Sequence, residues 1–301
     1  MNKILILLGV LVLGFAGYLI VVPPSFQPSP QSDAAEIESR RHLGAEFVTL
    51  NSSPIAASGH TPRRVLHEPT GIVLIGLEPG SYLRGSPRAE EFHQQNEAQF
   101  EVAVEKSFYL AETELTVAQW KKIMGEKTPL DQSADDLPLS GLSWHQAQDL
   151  LETMNERFGG GWRLPNEIEW EYACRAGTTT PFSFGESIHS DQANFNGEKP
   201  YPRGAAKGIR HEGPIAVKSY PPNPWGFYDM HGNLWEWCSD LYVGHPEYGD
   251  VANDEPGASR VIRGGGFAAQ GKRVRSAYRD GYPPYSPGEK YGVRLVLSLE
   301  D

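Results

Sequence analysis

Cysteine is scarce: Cys174 and Cys238 are the only two in 301 residues. That excludes a scaffold held by several disulfides, and with no CxxC spacing it offers no thiolate clamp for a metal. The nine histidines form no HExxH or HxxxH pair, so a zinc site carried on one helix is excluded. Positive charge is short, 27 Lys and Arg against 38 Asp and Glu for a net charge of −11, which argues against nucleic acid as the main partner. No heptad run or internal repeat is visible. Gly264-Gly265-Gly266 is not followed by Lys-Ser/Thr, so it reads as a tight turn and not as a phosphate loop.

Glycine and proline are plentiful, 32 and 24 residues, and predict a turn-rich chain; 7 Trp, 13 Tyr and 12 Phe supply bulk for a core with little regular structure. The uncharged run from Ile4 to Val22 follows Lys3 and precedes acidic residues. It reads as an anchor that leaves the rest of the chain outside the cytoplasm, or as a cleaved signal peptide with Ile4 to Leu13 as its apolar core. No cysteine follows the run to carry a lipid, and no twin arginine precedes it. The expected organisation is a transmembrane anchor or signal peptide at 1–22, a Pro/Ser-rich spacer and polar linker at 23–68, and one domain at 69–301. Three short helices are expected from capping-box pairs followed by single apolar stripes: Thr116 with Gln119, Ser143 with Gln146, and Asn166 with Glu169, the last ending at Gly177. Trp120 and Trp170 on these helices read as core.

The segment Asn223 to Trp237, NPWGFYDMHGNLWEW, packs several physical roles closely. Asp229 and Glu236 supply carboxylates, Gly232 permits a sharp turn, and the carbonyls between them can complete an oxygen cage for calcium. If extended, Trp235 and Trp237 share one face while Leu234 and Glu236 share the other. The competing reading is a turn leading into a buried strand with no ion.

This segment, the block Trp162 to Ala173 (WRLPNEIEWEYA), the block Arg260 to Gly266 (RVIRGGG) and Tyr291-Gly292-Val293-Arg294 occur in the order of the signature blocks of the formylglycine-generating enzyme, or sulfatase-modifying factor, family. The resemblance covers about residues 69–299. It implies an α+β fold, irregular and loop-rich, related to C-type lectins. It also implies one calcium held by Asp229, Glu236 and the carbonyls of Gly232 and Leu234. A second calcium would sit at Asn194 and the Phe195 carbonyl, but residues 205–210 lack the family's aspartate.

Members that oxidise a substrate cysteine hold copper with two cysteines after the glycine block, because soft thiolates select that metal. Here no Cys follows Cys238, Gly266 stands where the family has serine, and Lys290 stands where it has a cleft asparagine. The resemblance therefore implies no copper and no oxidase chemistry. Trp235 and the cluster Arg273, Arg275 and Arg279 remain as a candidate ligand- or partner-binding surface, Arg279 matching a substrate-contacting family arginine; the alternative is that these arginines pair with carboxylates and tie down a loop. Failing them, the polar loop with Glu90, Glu91 and His93 is the next candidate surface. The family partner of Cys174 aligns near Ser276, leaving open a Cys174–Cys238 bridge or two buried thiols. The expected function is an extracytoplasmic, calcium-stabilised binding or regulatory module acting on a membrane or periplasmic protein, as in TagR-like regulation of type VI secretion. The alternatives are a cysteine-independent PvdO-like maturation enzyme, or glycan binding by fold analogy.

Overall fold

A six-stranded sheet divides the protein into two apolar cores. The computed structural model describes Leu43 and residues 45–51, 61–244 and 258–298; the expected membrane segment 4–22 lies outside them, and among the described residues no helix is long and apolar enough to cross a membrane. The sheet contains β1 (Phe47–Leu50), β2 (Arg63–His67), β3 (Ile72–Leu77), β6 (Phe108–Ala111), β7 (Trp162–Arg163) and β12 (Val296–Ser298), in the order β1-β2-β3-β6-β12-β7. Strands β3 and β6 are apolar at nearly every position because both their faces are covered. Ile72, Leu74, Tyr109 and Ala111 enter one core, and Ile75, Leu77, Phe108 and Leu110 enter the other.

Helices α1 (Val117–Met124) and α2 (Trp144–Phe158) contribute to the first core, and α3 (Glu167–Arg175) to the second. All three start at the expected capping boxes, with Thr116, Ser143 and Asn166 accepting from the third backbone N–H of each helix. Helix α3 stops one residue before the position read from the sequence: Ala176 already adopts φ 48°, ahead of Gly177 at φ 84°.

The linker assignment needs correction at its C-terminal end. Strands β1 and β2 lie within 23–68 and pair in register with each other and with β3, so the folded unit begins upstream of residue 69. They read as polar linker because β2 opens with Arg63 and Arg64 and buries only Val65 and His67.

A two-stranded ribbon, β4 (Gly80–Arg84) with β5 (Phe100–Val104), flanks α3. A smaller sheet, ordered β10-β9-β8-β11, carries the signature segments: β8 (Trp235–Leu241), β9 (Arg260–Arg263), β10 (Asp280–Tyr282) and β11 (Tyr291–Gly292). Strand β8 pairs antiparallel with β9 and parallel with β11.

Candidate functional site

The loop entering β8 is tied at three points. The Asn223 side chain donates to the Ala173 carbonyl at 2.7 Å and accepts the Trp225 and Phe227 N–H groups, pinning the loop to the end of α3. Gly232 stands at φ 143°, where a Cβ would come within 2.4 Å of the Asn194 carbonyl oxygen, so only glycine lets the two backbones cross. The Asn233 N–H donates to that same carbonyl at 2.8 Å. In the glycine block, a Cβ on Gly265 would lie 2.5 Å from Val274 Cγ1, as expected of a tight turn against another segment.

Beyond the loop, β8 alternates as anticipated. Trp235 and Trp237 enter the first core, and Cys238 enters the second. Trp235 is only 7 % exposed and packs on Tyr278 at 6.0 Å, so it is wall and not open platform.

The Glu236 carboxylate already has a full set of partners. Arg294 donates to both its oxygens through Nε and to Oε1 through Nη2 at 2.7 Å, while Trp170 Nε1 donates to Oε2 at 2.7 Å. A carboxylate so occupied has little left for an ion. Trp170, read as purely core, thus also holds this glutamate.

Glu114, which carries no local sequence signal of a site, lies fully buried beside the same loop. It accepts the Leu234 N–H at 2.8 Å and the Asn233 amide at 2.7 Å. Burial, then the charges of Asp229 and Glu236, raise its carboxyl well above the usual range, and burial likewise pushes Asp229 up to about 6. Arg294 is the one guanidinium facing three carboxylates here, and Lys218, whose charge also acts on Asp229, is paired with Glu112; that excess of carboxylates fits a cation near Asp229. Among the described residues no three acidic, histidine or thiol side chains converge as a metal cage, so an ion would draw much of its shell from carbonyls such as Gly232 and Leu234, as calcium permits.

At the second expected position, Asn194 donates to the Gly213 carbonyl and to Asn233 Oδ1, while its own Oδ1 is buried without a hydrogen-bond partner. A buried acceptor without a partner at this position is compatible with a cation there.

The arginine cluster divides. Arg275 is 0 % exposed and is held by Glu97 at 2.8 Å through two nitrogens and by Glu90 at 2.5 Å. Arg279 is 2 % exposed and donates to both oxygens of Glu167 at 2.7 Å and to the Val243 carbonyl. Neither is a surface recognition residue, because a desolvated guanidinium must keep its partners. Only Arg273 remains exposed, over the Tyr278 ring at 5.8 Å. Consequently Arg279→Ala is expected to lower the melting temperature sharply and Arg273→Ala to leave stability within about 1 kcal/mol of wild type, with a correspondingly small shift in melting temperature. Equal melting temperatures for the two variants would show that the Glu167 pair is not structural.

Cys174 and Cys238 are both free and buried, so they are not bridged. The Cys174 thiol lies 3.8 Å from His231 Nε2, and burial pushes it up to about 12. His231 is fixed by the Val274 carbonyl and Ser183, and burial pushes it down to about 4, leaving a neutral core imidazole.

Residues 60–299 match the sulfatase-modifying factor enzyme 1-like domain. The chain is 34% identical over 171 residues to the serine/threonine-protein kinase pkn1 of Chlamydia pneumoniae, covering 54% of this chain and 24% of that protein. It is 32% identical over 191 residues to the formylglycine-generating enzyme of Streptomyces coelicolor, covering 60% and 58% respectively. It therefore spans about a quarter of the kinase and less than two thirds of the enzyme. Among solved structures, PvdO from Pseudomonas aeruginosa superposes with a TM-score of 0.66 at 25% identity, covering 76% of this chain and 95% of that one.

Proposed function

The chain belongs to the sulfatase-modifying factor family, and we propose that within it this protein is a binding or regulatory module and not a copper oxidase. The observation that carries the reading is the state of its two thiols. Both cysteines are 0 % exposed, and burial pushes Cys174 up to about 12 and Cys238 well above its ordinary value. Neither can present a thiolate at neutral pH, and no further cysteine follows Cys238. The ligand pair that copper(I) selects is therefore missing from the reach of any substrate.

The rest of the reading is an extracytoplasmic domain held near a membrane by residues 4–22 and the Pro/Ser spacer, where tethering raises its effective concentration for a membrane or periplasmic protein. A calcium ion at Asp229 belongs to it, supported by the surplus carboxylate charge around Glu114; its role is to neutralise that charge and fix the loop. Asn194 Oδ1 and the Phe195 carbonyl are the corresponding candidates for a second ion.

Incubating the protein with copper, oxygen and a sulfatase-type cysteine peptide should return the peptide unchanged by mass spectrometry. Formation of formylglycine overturns the reading. The likeness to PvdO supports one alternative, a cysteine-independent periplasmic maturation enzyme. Crosslinking in the native envelope separates the two: capture of one membrane protein supports the module, and turnover of a small molecule or peptide by the purified protein supports the enzyme.

A further inference from the structure

The cations that the arginine cluster does not supply are gathered beside it. A cavity of about 250 Å³ is lined by Phe92, Lys199, Arg203, Gln270 and Lys272, with Glu198 as the one carboxylate in its lining. Lys272 Nζ lies 5.6 Å and Arg203 Cζ 4.7 Å from the centre of the Phe92 ring. Among the described residues Lys199 and Lys272 make no ion pair, and Arg203 pairs only with Glu91, at 3.2 Å, through side chains 76% and 32% exposed. An ion pair so exposed is weak and readily exchanged. Arg273, also exposed, follows Lys272 directly. In a chain of net charge −11, this gathering of cations around one hollow runs against mutual repulsion.

The frame around the hollow is fixed. The Gly271 N–H donates to the Lys199 carbonyl at 2.8 Å, which places Lys199 beside the turn carrying Lys272 and Arg273. Phe92 adopts φ 63°, costly for an aromatic residue. It is held there by the Arg275 guanidinium, which donates to its carbonyl at 3.1 Å, and by packing against Tyr201. The buried arginine thus helps to shape a surface it does not reach.

We propose that this hollow binds a phosphomonoester, the Lys199, Arg203 and Lys272 cations taking the phosphate oxygens and the Phe92 ring lying against the carbon group that bears the phosphate. A carboxylate is matched by one arginine fork. Three separate cations, two of them ammonium groups, instead suit a dianion with three terminal oxygens. The inference rests on the binding-module reading and names a ligand class for it.

The test is calorimetric titration of the 301-residue chain with a phosphoserine peptide, the same peptide unphosphorylated, inorganic phosphate and a sugar phosphate. The phosphopeptide is expected to bind at least roughly tenfold more tightly than its unphosphorylated form, and more weakly as salt is raised. Lys272→Gln and Arg203→Gln should each weaken binding roughly fivefold or more, with melting temperatures unchanged, while Lys127→Gln, elsewhere on the surface, has no effect. Phosphopeptide binding tighter than that of inorganic or sugar phosphate identifies a phosphorylated side chain as the source. Equal affinities identify a small free phosphomonoester, and both results support the site. Absence of binding by every phosphate compound, or wild-type affinity in both Gln variants, overturns it. The module reading would survive that outcome, since it fails on formylglycine formation instead.

Discussion

Glu167→Gln is expected to destabilise the domain by about 3–5 kcal/mol, a large share of the roughly 5–15 kcal/mol that holds a domain folded. Glu167 opens α3 and gathers arginines from three other segments: Arg84 of β4 at 3.0 Å, Arg263 of β9 at 3.3 Å and Arg279 at 2.7 Å. All three are at most 3 % exposed. Glu171, one turn on, holds Arg263 at 2.6 Å and Arg175 at 2.9 Å. Removing the Glu167 charge leaves desolvated guanidinium groups facing one another with too few anions. The same geometry sets the acid limit. Burial alone would raise the Glu167 carboxyl, but Arg84, Arg263 and Arg279 more than offset it and hold it at about 2, against an ordinary 4.5. A depressed folded-state value means that the contribution, on the order of 3 kcal/mol, is complete above about pH 4.5 and is lost as pH falls through 2. Urea denaturation at pH 7 and pH 3 measures both effects. A Gln variant with wild-type stability at pH 7, or an acid dependence as large in the variant as in the wild type, would remove Glu167 from this role; Glu171, likewise buried but depressed by its arginines, keeps a smaller dependence in either case.

What could be read from the sequence was local. The three capping boxes depend on residues three apart and form as expected. The alternation along β8 depends only on strand geometry, and it sends Trp237 and Cys238 into opposite cores. Features assembled over long separations were not legible. Arg275 and Arg279 form a basic run in sequence, yet their partners Glu97 and Glu167 lie 178 and 112 residues away. Glu114 meets the Asn233 side chain across 119 residues and carries no local mark of burial. The hollow under Phe92 joins residues near 92, 200 and 272, none of which forms a motif with its neighbours. The cysteine pair was undecidable for the same reason: whether two thiols meet depends on packing, and here both end in the second core without bonding.

Chelation should lower the melting temperature of the wild-type protein by roughly 5–10 °C, the shift for about 2–3 kcal/mol of ligand linkage at an ion concentration near a hundred times the dissociation constant. The argument starts from buried charge. Glu114, Asp229 and Glu236 share one region with a single guanidinium, and Arg294 is spent on Glu236. Asp229 accepts the Lys218 N–H at 3.0 Å through Oδ2 and holds φ 60°, an unfavourable backbone for a non-glycine residue. A loop that concentrates negative charge and strain gains most from a cation that satisfies carboxylate and carbonyl oxygens together. Asp229→Asn keeps the shape and removes one charge, so its melting curve should be the same with and without chelator. Glu236→Ala is a less clean probe, since it also strands Arg294 in the core and lowers stability whether or not an ion is present. If the wild-type curve is unmoved by chelator and elemental analysis finds no calcium, the loop is a turn into a buried strand, and its excess charge is relieved by protons on Glu114 and Asp229 instead.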